Sequence, residues 1–299
     1  MQEVEPVESA SRPAGRSALT GKEVSVSGIR YKLRRQTGWR AIDFRELWHY
    51  RELLWILTVR DIKVRYKQTA LGALWAVIQP FFSMIIFTII FAKFAKMSTD
   101  GVQPQVFYFC GLLPWQLFAT ALTNAGNSLL GNQNLVTKVY FPRLVIPISA
   151  VITGLIDFAV AFAVLLVMMA YYHVAVSGAV VFMPVFVFLA FLAALGVGLW
   201  LSALNVEYRD VRYVIPFLTQ FWLFATPVPY PSSLVPPGWK RTIFGLNPMS
   251  GVVEGFRWCM LGKPAPGPML VVSTLTIVIV LVGGLYYFRR MERTFADLV

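Results

Sequence analysis

Long apolar stretches alternate with short polar ones between residues 71 and 288, and six of the apolar stretches are long enough to cross a bilayer. An α-helix rises about 1.5 Å per residue and the hydrocarbon core is about 30 Å thick, so a span needs about 20 apolar residues. Runs such as 275–285 lack the alternation of barrel strands. The pattern predicts an all-α integral membrane protein with a six-helix domain at 69–288. The predicted spans are Leu71–Phe91, Val106–Asn127, Leu144–Tyr172, Ala179–Asn205, Tyr213–Tyr230 and Met269–Phe288.

The region before the first span has two parts. Residues 1–40 mix acidic and basic residues with Ser, Gly and Pro, which is typical of a disordered tail. Residues 41–68 have helical periodicity: Asp43 can cap the helix, and Trp48 and Trp55 share its apolar face. We predict an amphipathic interfacial helix along the membrane surface, with a soluble helix packed on a partner as the alternative.

The connection before the last span is too long and too apolar for a plain loop, so we predict a re-entrant region at 231–262. Asn247 suits the N-cap of a helix, with Pro248 at its first position and Gly262 at its end. This helix has about 14 residues and is too short to cross a bilayer. Glu254 and Arg257 can pair on its polar face. Its predicted apolar stripe is Met249, Val252, Val253, Phe256 and Met260.

Composition and charge agree with a membrane protein. The chain is 57% hydrophobic and 14% charged, whereas soluble domains have about 25% charged residues. The net charge of +12 is uneven, because 14 of the 27 Lys and Arg precede Leu71. This distribution indicates membrane topology rather than nucleic-acid binding. With the N-terminus inside, most basic residues lie on the cytoplasmic side, so both termini, including the tail 289–299, are predicted to be cytoplasmic.

The sequence contains no visible energy source or reaction centre. It has no G-x-x-x-x-G-K-[ST] phosphate loop and no series of intramembrane ionisable residues, so an active transporter would need energy from another chain. Asp157 lies deep in the third span, either as a relay or substrate contact or, more simply, as a helix contact near Thr153. The histidines and the two cysteines have no metal or redox spacing. We therefore predict no catalytic residue and no metal site.

Two short polar loops, 131–143 and 205–212, lie on the predicted cytoplasmic side. They could simply anchor the membrane boundary, but their aromatic and charged residues favour a docking surface for a soluble partner. The candidate docking residues are Asn134, Lys138, Tyr140, Phe141, Pro142, Arg143, Arg209, Asp210 and Arg212.

Aromatic residues recur at helical spacing along the first, second and fifth spans. Such stripes are usually core or lipid contacts, yet flat aromatic faces also hold sugar rings while letting them slide. The candidate channel-lining residues are Trp75, Phe82, Tyr108, Trp115, Phe118, Phe217, Gln220, Phe221 and Phe224.

Four ordered blocks carry a resemblance to a known family: RELLWILTVRDIKVRYKQTALGALWAVIQP, LVTKVYFPRLVIPI, NVEYRDVRYVIPFLTQFWLFATPVPYP and LNPMSGVVEGFRWCMLG. Together they resemble the membrane subunit of ATP-binding-cassette exporters of cell-surface polysaccharides and polyol phosphates. This is the ABC-2-type permease family of O-antigen, capsule and teichoic-acid export.

The resemblance implies a coupling helix in 131–143 that docks an ATPase, and re-entrant helices in 231–262 that gate the outer side. Asn247, Pro248, Glu254 and Arg257 are then the outer-gate candidates. It also implies a homodimer with two copies of a separate ATPase, which binds the ATP and Mg, so that this chain is not an enzyme and holds no cofactor.

The function expected from the resemblance is a channel-forming permease that moves a lipid-linked polysaccharide, O-antigen first among the classes, across the cytoplasmic membrane. An ABC-2-type exporter of small lipophilic drugs or antibiotics is the main alternative. A membrane glycosyl- or phosphotransferase and a structural scaffold are the others.

Overall fold

The chain divides into two compact units, Met1–Asp43 and Phe44–Val299. The structure, a computed structural model, describes residues 2–6, 23–26, 29–35, 44–67, 72–139, 141–236, 238–292 and 295.

The described part of the first unit is a three-stranded antiparallel sheet in the order β1-β3-β2. Its strands are β1 Gln2–Pro6, β2 Glu23–Val26 and β3 Ile29–Arg35. The register places Glu3 opposite Arg34 and Glu5 opposite Lys32, and opposite charges at facing positions favour strand pairing. Residues 1–40 therefore differ from the predicted disordered tail in these three segments, and the remainder of that tail lies outside the described residues.

The second unit is helical. Its helices are α1 Phe44–His49, α2 Arg51–Lys67, α3 Trp75–Phe87, α4 Pro104–Gly131, α5 Gln133–Lys138, α6 Val145–Tyr171, α7 Met183–Glu207, α8 Val211–Ala225, α9 Trp239–Ile243, α10 Pro248–Leu261 and α11 Pro268–Met291. A wider π-helical segment, Thr88–Phe94, continues α3.

Five helical segments in the described residues are long and apolar enough to cross a membrane: Trp75–Phe94, Pro104–Gly131, Val145–Tyr171, Gly178–Glu207 and Pro268–Met291. The fifth predicted span, 213–230, is not confirmed as a membrane-crossing helix. Its helix, α8, has 15 residues, a length of about 22 Å at 1.5 Å per residue. It ends because Thr226 is extended, as a residue before proline prefers, and Pro227 follows it.

The helix predicted at 41–68 is interrupted at Tyr50, which separates α1 from α2. Two residues of the predicted apolar face, Trp48 and Trp55, are exposed in the single chain. Leu57 and Thr58 of the same segment are buried. Helix α2 packs against α6. The predicted cap Asp43 lies outside the described residues, and the position of this helix on a membrane surface stays a prediction.

Helix α4 forms the centre of the bundle and packs against α3, α6, α7, α8 and α10. The neighbouring α7 and α11 approach closely through Gly196 and Gly284. A Cβ atom on Gly284 would lie 2.5 Å from the Gly196 carbonyl oxygen, and one on Gly196 would lie 2.9 Å from the Cα of Leu281. Small residues permit this close helix packing, as is common in membrane bundles.

The predicted caps of α10 are confirmed. The Asn247 side chain accepts a hydrogen bond from the Met249 backbone N–H at 3.0 Å, and Gly262 ends the helix with a left-handed φ of 65°. The predicted apolar stripe of α10 is fully buried, because α4, α7 and α11 surround the helix. With 14 residues, α10 is about 21 Å long, so it does not cross a bilayer by itself.

Candidate functional site

An ionic cluster connects α2 to α6 around Asp157. Arg65 Nη1 donates to Asp157 Oδ2 at 2.5 Å, and Arg65 Nη2 donates to Asn124 Oδ1 at 3.1 Å. The Tyr66 hydroxyl also donates to Asp157. Burial, and then this hydrogen bond, raises the pKa of Tyr66 to about 12, so the phenol stays protonated at neutral pH. Thr153, the partner that the sequence suggested, donates instead to the Ala150 carbonyl at 2.7 Å.

Two neighbouring cavities lie against the same face of α3. The first has a volume of about 250 Å³ and lies beside the ionic cluster; its walls include Arg65, Tyr66, Trp75 and Asp157. The second, of about 320 Å³, lies toward α8; its walls include Ser83, Thr123, Asn124, Thr219 and Gln220. Gln79, Gln116 and Thr120 line both. The two cavities therefore share a polar boundary where α3 meets α4.

The predicted channel-lining aromatics fall into two groups. Those of α3 and α8 are exposed, namely Trp75, Phe82, Phe217, Phe221 and Phe224. The rings of Phe217 and Phe221 have centroids 4.8 Å apart, and Gln220 beside them is also exposed. Those of α4, namely Tyr108, Trp115 and Phe118, are buried in the protomer. A lining role for these three stays a prediction, and within the single chain they are core residues.

The predicted outer-gate pair is a buried ion pair rather than a surface one. Arg257 is 1% exposed and its Nη1 donates to Glu254 Oε1 at 2.9 Å. Its Nη1 and Nη2 also donate to the carbonyls of Pro227 and Val228 at 2.5 and 2.7 Å. The guanidinium carbon lies 3.8 Å from the Phe107 ring centroid. These contacts hold α10, α4 and the segment after α8 together.

Gly111 and Asn247 complete this arrangement. A Cβ atom on Gly111 would lie 2.4 Å from Arg257 Nη2, so only glycine leaves space for the guanidinium there. The Asn247 oxygen accepts from Trp222 Nε1 at 2.9 Å, and its amide donates to the Ala225 carbonyl at 3.1 Å. Pro248 is the first residue of α10. The gate candidates therefore connect the start of α10 to the end of α8.

The two predicted docking loops begin at the same end of the bundle. Asn205 Nδ2, near the end of α7, donates to the Gly126 carbonyl near the end of α4 at 2.9 Å. The polar docking candidates Asn134, Lys138, Arg209, Asp210 and Arg212 are exposed. Phe141 and Pro142 are buried, so they are core residues in the single chain. Tyr140 lies outside the described residues.

Arg143 is bonded within the chain, through a contact that the sequence did not reveal. Its backbone N–H donates to Glu292 Oε1 at 3.2 Å, and its guanidinium donates to the Glu292 carbonyl. Arg289 Nη1 binds Glu292 Oε2 at 2.8 Å, and Phe295 packs on Phe288. Because Arg143 and Glu292 are 149 positions apart, no local pattern could have paired them.

The described residues contain no group of three or more His, Cys, Asp or Glu side chains that could hold a metal ion. Cys110 and Cys259 are both free and buried. The polar groups of this unit are thus arranged for hydrogen bonding and ion pairing.

Comparison with known proteins identifies the family to which this chain belongs. The family model for ABC-2 type transporters matches residues 52–261. An O-antigen export system permease protein RfbA of Myxococcus xanthus is 30% identical over 251 residues, which is 83% of this chain and 96% of the relative. A protein of the same name from Klebsiella pneumoniae is 28% identical over 83% of this chain and 95% of its own length. The polysialic acid transport protein KpsM of Escherichia coli is 25% identical over 79% of this chain and 92% of its own. The chain is a multi-pass membrane protein that belongs to the ABC-2 type transporter family.

Proposed function

We propose that this chain is the channel-forming permease subunit of an ATP-driven exporter, and that it moves a lipid-linked cell-surface polysaccharide, O-antigen in the first instance, across the cytoplasmic membrane. The names of the relatives support the substrate class, since they concern O-antigen and polysialic acid export. The single structural observation that carries the proposal is the mixed aromatic and amide face of α8.

This face differs from a surface that only contacts lipid. Phe217 and Phe221 are 63% and 65% exposed, and Gln220 lies between them in the sequence. Acyl chains offer an amide no hydrogen-bond partner, whereas a sugar offers hydroxyls to the amide and C–H faces to the rings. On α11, by contrast, there is no Asn or Gln, and its exposed large side chains are Val271, Leu275, Val278, Ile279, Val282 and, near its end, Tyr286. Helix α11 suits lipid, and α8 suits a sugar path.

The proposed assembly contains two copies of this chain, with the conducting path between their α3 and α8 faces. In it, α8 and the segment to Tyr230 complete a sixth crossing, and 231–262 re-enters the membrane to close the outer side. Both termini are cytoplasmic.

Two copies of a separate ATPase dock on α5 and the α7–α8 turn. The absence of a phosphate loop from the sequence supports this division of labour, with ATP and Mg bound by the ATPase and no cofactor in this chain.

Deletion of the gene tests the proposal. Deleted cells should lose surface polysaccharide and accumulate lipid-linked polymer internally, and plasmid-borne wild-type chain should restore export. The purified chain should hydrolyse no ATP until the ATPase is added. Unchanged surface polysaccharide together with raised sensitivity to lipophilic antibiotics would identify a drug exporter instead. ATP turnover by the chain alone would refute the subunit role.

A further inference from the structure

The cavity between α2, α3, α4 and α6, called here the α2–α6 cavity, combines hydrogen-bonding groups of both kinds with an aromatic face. Its walls include Arg65, Tyr66, Trp75, Gln79, Gln116 and Asp157. The guanidinium and phenol donate, the carboxylate accepts, and each amide does both. The indole of Trp75 is 55% exposed, so one of its surfaces is available to a ligand.

Three polar residues of this cavity have no hydrogen-bond partner in the described part of the chain, namely Gln79, Gln116 and Thr120. On α4, Thr123 and Asn127 by contrast bond to carbonyls one turn earlier. The Gln105 oxygen and the Tyr108 hydroxyl of α4 also lack a partner, but they lie outside this cavity. Unmatched polar groups are costly at membrane depth. The grouping of the first three around one cavity indicates that something polar occupies it.

The charge of the cavity selects among polar ligands. Arg65 and Asp157 form an ion pair, so their formal charges cancel. A phosphate placed there would meet the Asp157 carboxylate, and two like charges at short range repel. A carboxylate has about four lone-pair sites, so Asp157 can still accept bonds beyond those from Arg65 and Tyr66. A neutral ligand rich in hydroxyls fits better than an anion.

The size of the cavity limits the ligand further. Its volume of about 250 Å³ is below the range of about 300–1,000 Å³ for drug-sized ligands. It therefore suits one sugar ring rather than a chain. The second cavity, which shares Gln79, Gln116 and Thr120 with it, continues toward Gln220 and the aromatic face of α8.

We infer that the α2–α6 cavity is a binding site for a single neutral sugar residue, with Gln79, Gln116 and Asp157 binding its hydroxyls and Trp75 covering one ring face. The inference rests on the proposed function, since the sugar would belong to the exported glycan. It adds a discrete site next to the ionic cluster that connects α2 to α6, with no residue of α8 in its walls.

Cysteine protection tests occupancy in the assembled complex in native membranes. An Ala76→Cys variant, in the wall of the α2–α6 cavity only, should react with a water-soluble thiol reagent, and millimolar methyl glycosides of hexoses, 6-deoxyhexoses and N-acetylhexosamines should slow the reaction. Inorganic phosphate and pyrophosphate should not. The native Cys110 and Cys259 are buried, so background labelling is low. A Ser98→Cys variant, at an exposed position between α3 and α4 and outside both cavities, is the control and should react equally with or without sugar.

Each outcome of the labelling decides the matter. Slower labelling with at least one glycoside and with neither anion supports the sugar site. Protection by either anion, with or without a glycoside, overturns the assignment of the site to a neutral sugar. No protection, or no labelling in any state, overturns it as well.

Paired leucine variants test the use of the site. The double change Gln79→Leu and Gln116→Leu removes the amides at similar volume, and export should fall about tenfold, as expected for the loss of two hydrogen bonds to a ligand. ATP hydrolysis and the thermal midpoint should stay at wild-type values. The control is Gln105→Leu, at the other end of α4 and outside both cavities, which should export normally.

Equal export by the double variant and the control would refute the site. The proposed function is judged separately, on the wild-type complex. If wild type exports polysaccharide and the cavity shows no protection, the sugar site alone fails. If wild type exports none, the proposed function fails whatever the labelling shows.

Discussion

The α10–α4 contact and the α3–α8 face both carry polar groups inside an apolar bundle, but they differ in how the largest of these groups are bonded. Among the described residues of the α10–α4 contact, the Tyr108 and Ser250 hydroxyls and Arg257 Nε lack a partner, while the rest of the guanidinium is bonded. Around α10, Arg257 is enclosed, and its terminal nitrogens bind Glu254 and two backbone carbonyls. Along α3 and α8, Gln79 and Gln220 are exposed, and beside them Gln116 is half-buried. No side-chain hydrogen bond satisfies these amides within the described ranges.

This difference separates residues that hold the helices together from residues that can bind a ligand. A buried charge that is bonded on several sides resists movement, because any displacement leaves it unpaired at low dielectric. Amides without partners are tolerated only where water, substrate or another protein surface completes them. The outer-gate candidates Glu254 and Arg257 are therefore part of the rigid scaffold, while the aromatic and amide residues of α3 and α8 are available to a ligand.

The largest expected effect comes from removing the buried cation. Arg257→Met leaves Glu254 uncompensated and two carbonyls without donors, which typically costs about 3–5 kcal/mol. We expect most of the protein to misfold, measured by size-exclusion chromatography and thermal midpoint in detergent. The matched control is Arg212→Met, because Arg212 is exposed and its guanidinium interacts with the neighbouring Tyr213. A normal midpoint for R257M would remove the distinction between the two regions.

A smaller effect, confined to transport, is expected from the aromatic face of α8. Changing Phe217 and Phe221 to Leu keeps the surface apolar but removes two stacking faces, each worth about 1 kcal/mol. The assembled complex should keep its ATP hydrolysis and export about tenfold less polysaccharide. The control pair is Phe188→Leu with Phe191→Leu, a stacked pair on α7. Export that is intact in the α8 variant, or equally reduced in both, would assign the α8 face to lipid.

The smallest effect is expected from a single amide. Gln220→Leu removes one hydrogen-bonding group at a similar volume, so export should fall about threefold while the thermal midpoint is unchanged. Thr276→Val on α11 is the control, since that hydroxyl bonds only to the Val272 carbonyl. If Q220L instead exports normally and is more stable than wild type, the amide faces acyl chains and α8 resembles α11.

Features that depend on neighbouring residues could be predicted from the sequence. Hydropathy located the five long spans, and the Asn-Pro start and glycine end of α10 follow from local capping. The length of α8 was overestimated, because the apolar run continues through Thr226 while Pro227 forces an extended backbone.

Features that depend on distant residues could not be predicted. Arg65 and Asp157 are 92 positions apart, and only the fold brings them together beside a cavity. The burial of Phe141 and of the Glu254–Arg257 pair likewise depends on which helices surround them. The charged N-terminal residues indicated a tail, yet three of its segments pair as short strands, with the acidic positions of β1 and β2 opposite basic positions of β3.

Helix α11 is hydrogen-bonded near both of its ends. One end contacts the predicted docking loop, and the other contacts the start of α10. At one end, Glu292 binds Arg143 beside the predicted docking loop. At the other, Ser273 accepts from the Gly251 backbone and donates to the Gly245 carbonyl near the start of α10. Its 24 residues make a rod of about 36 Å, which transmits force along its axis without needing to bend. A displacement of Arg143 along this axis would therefore also move Ser273, because both contacts belong to one continuous helix.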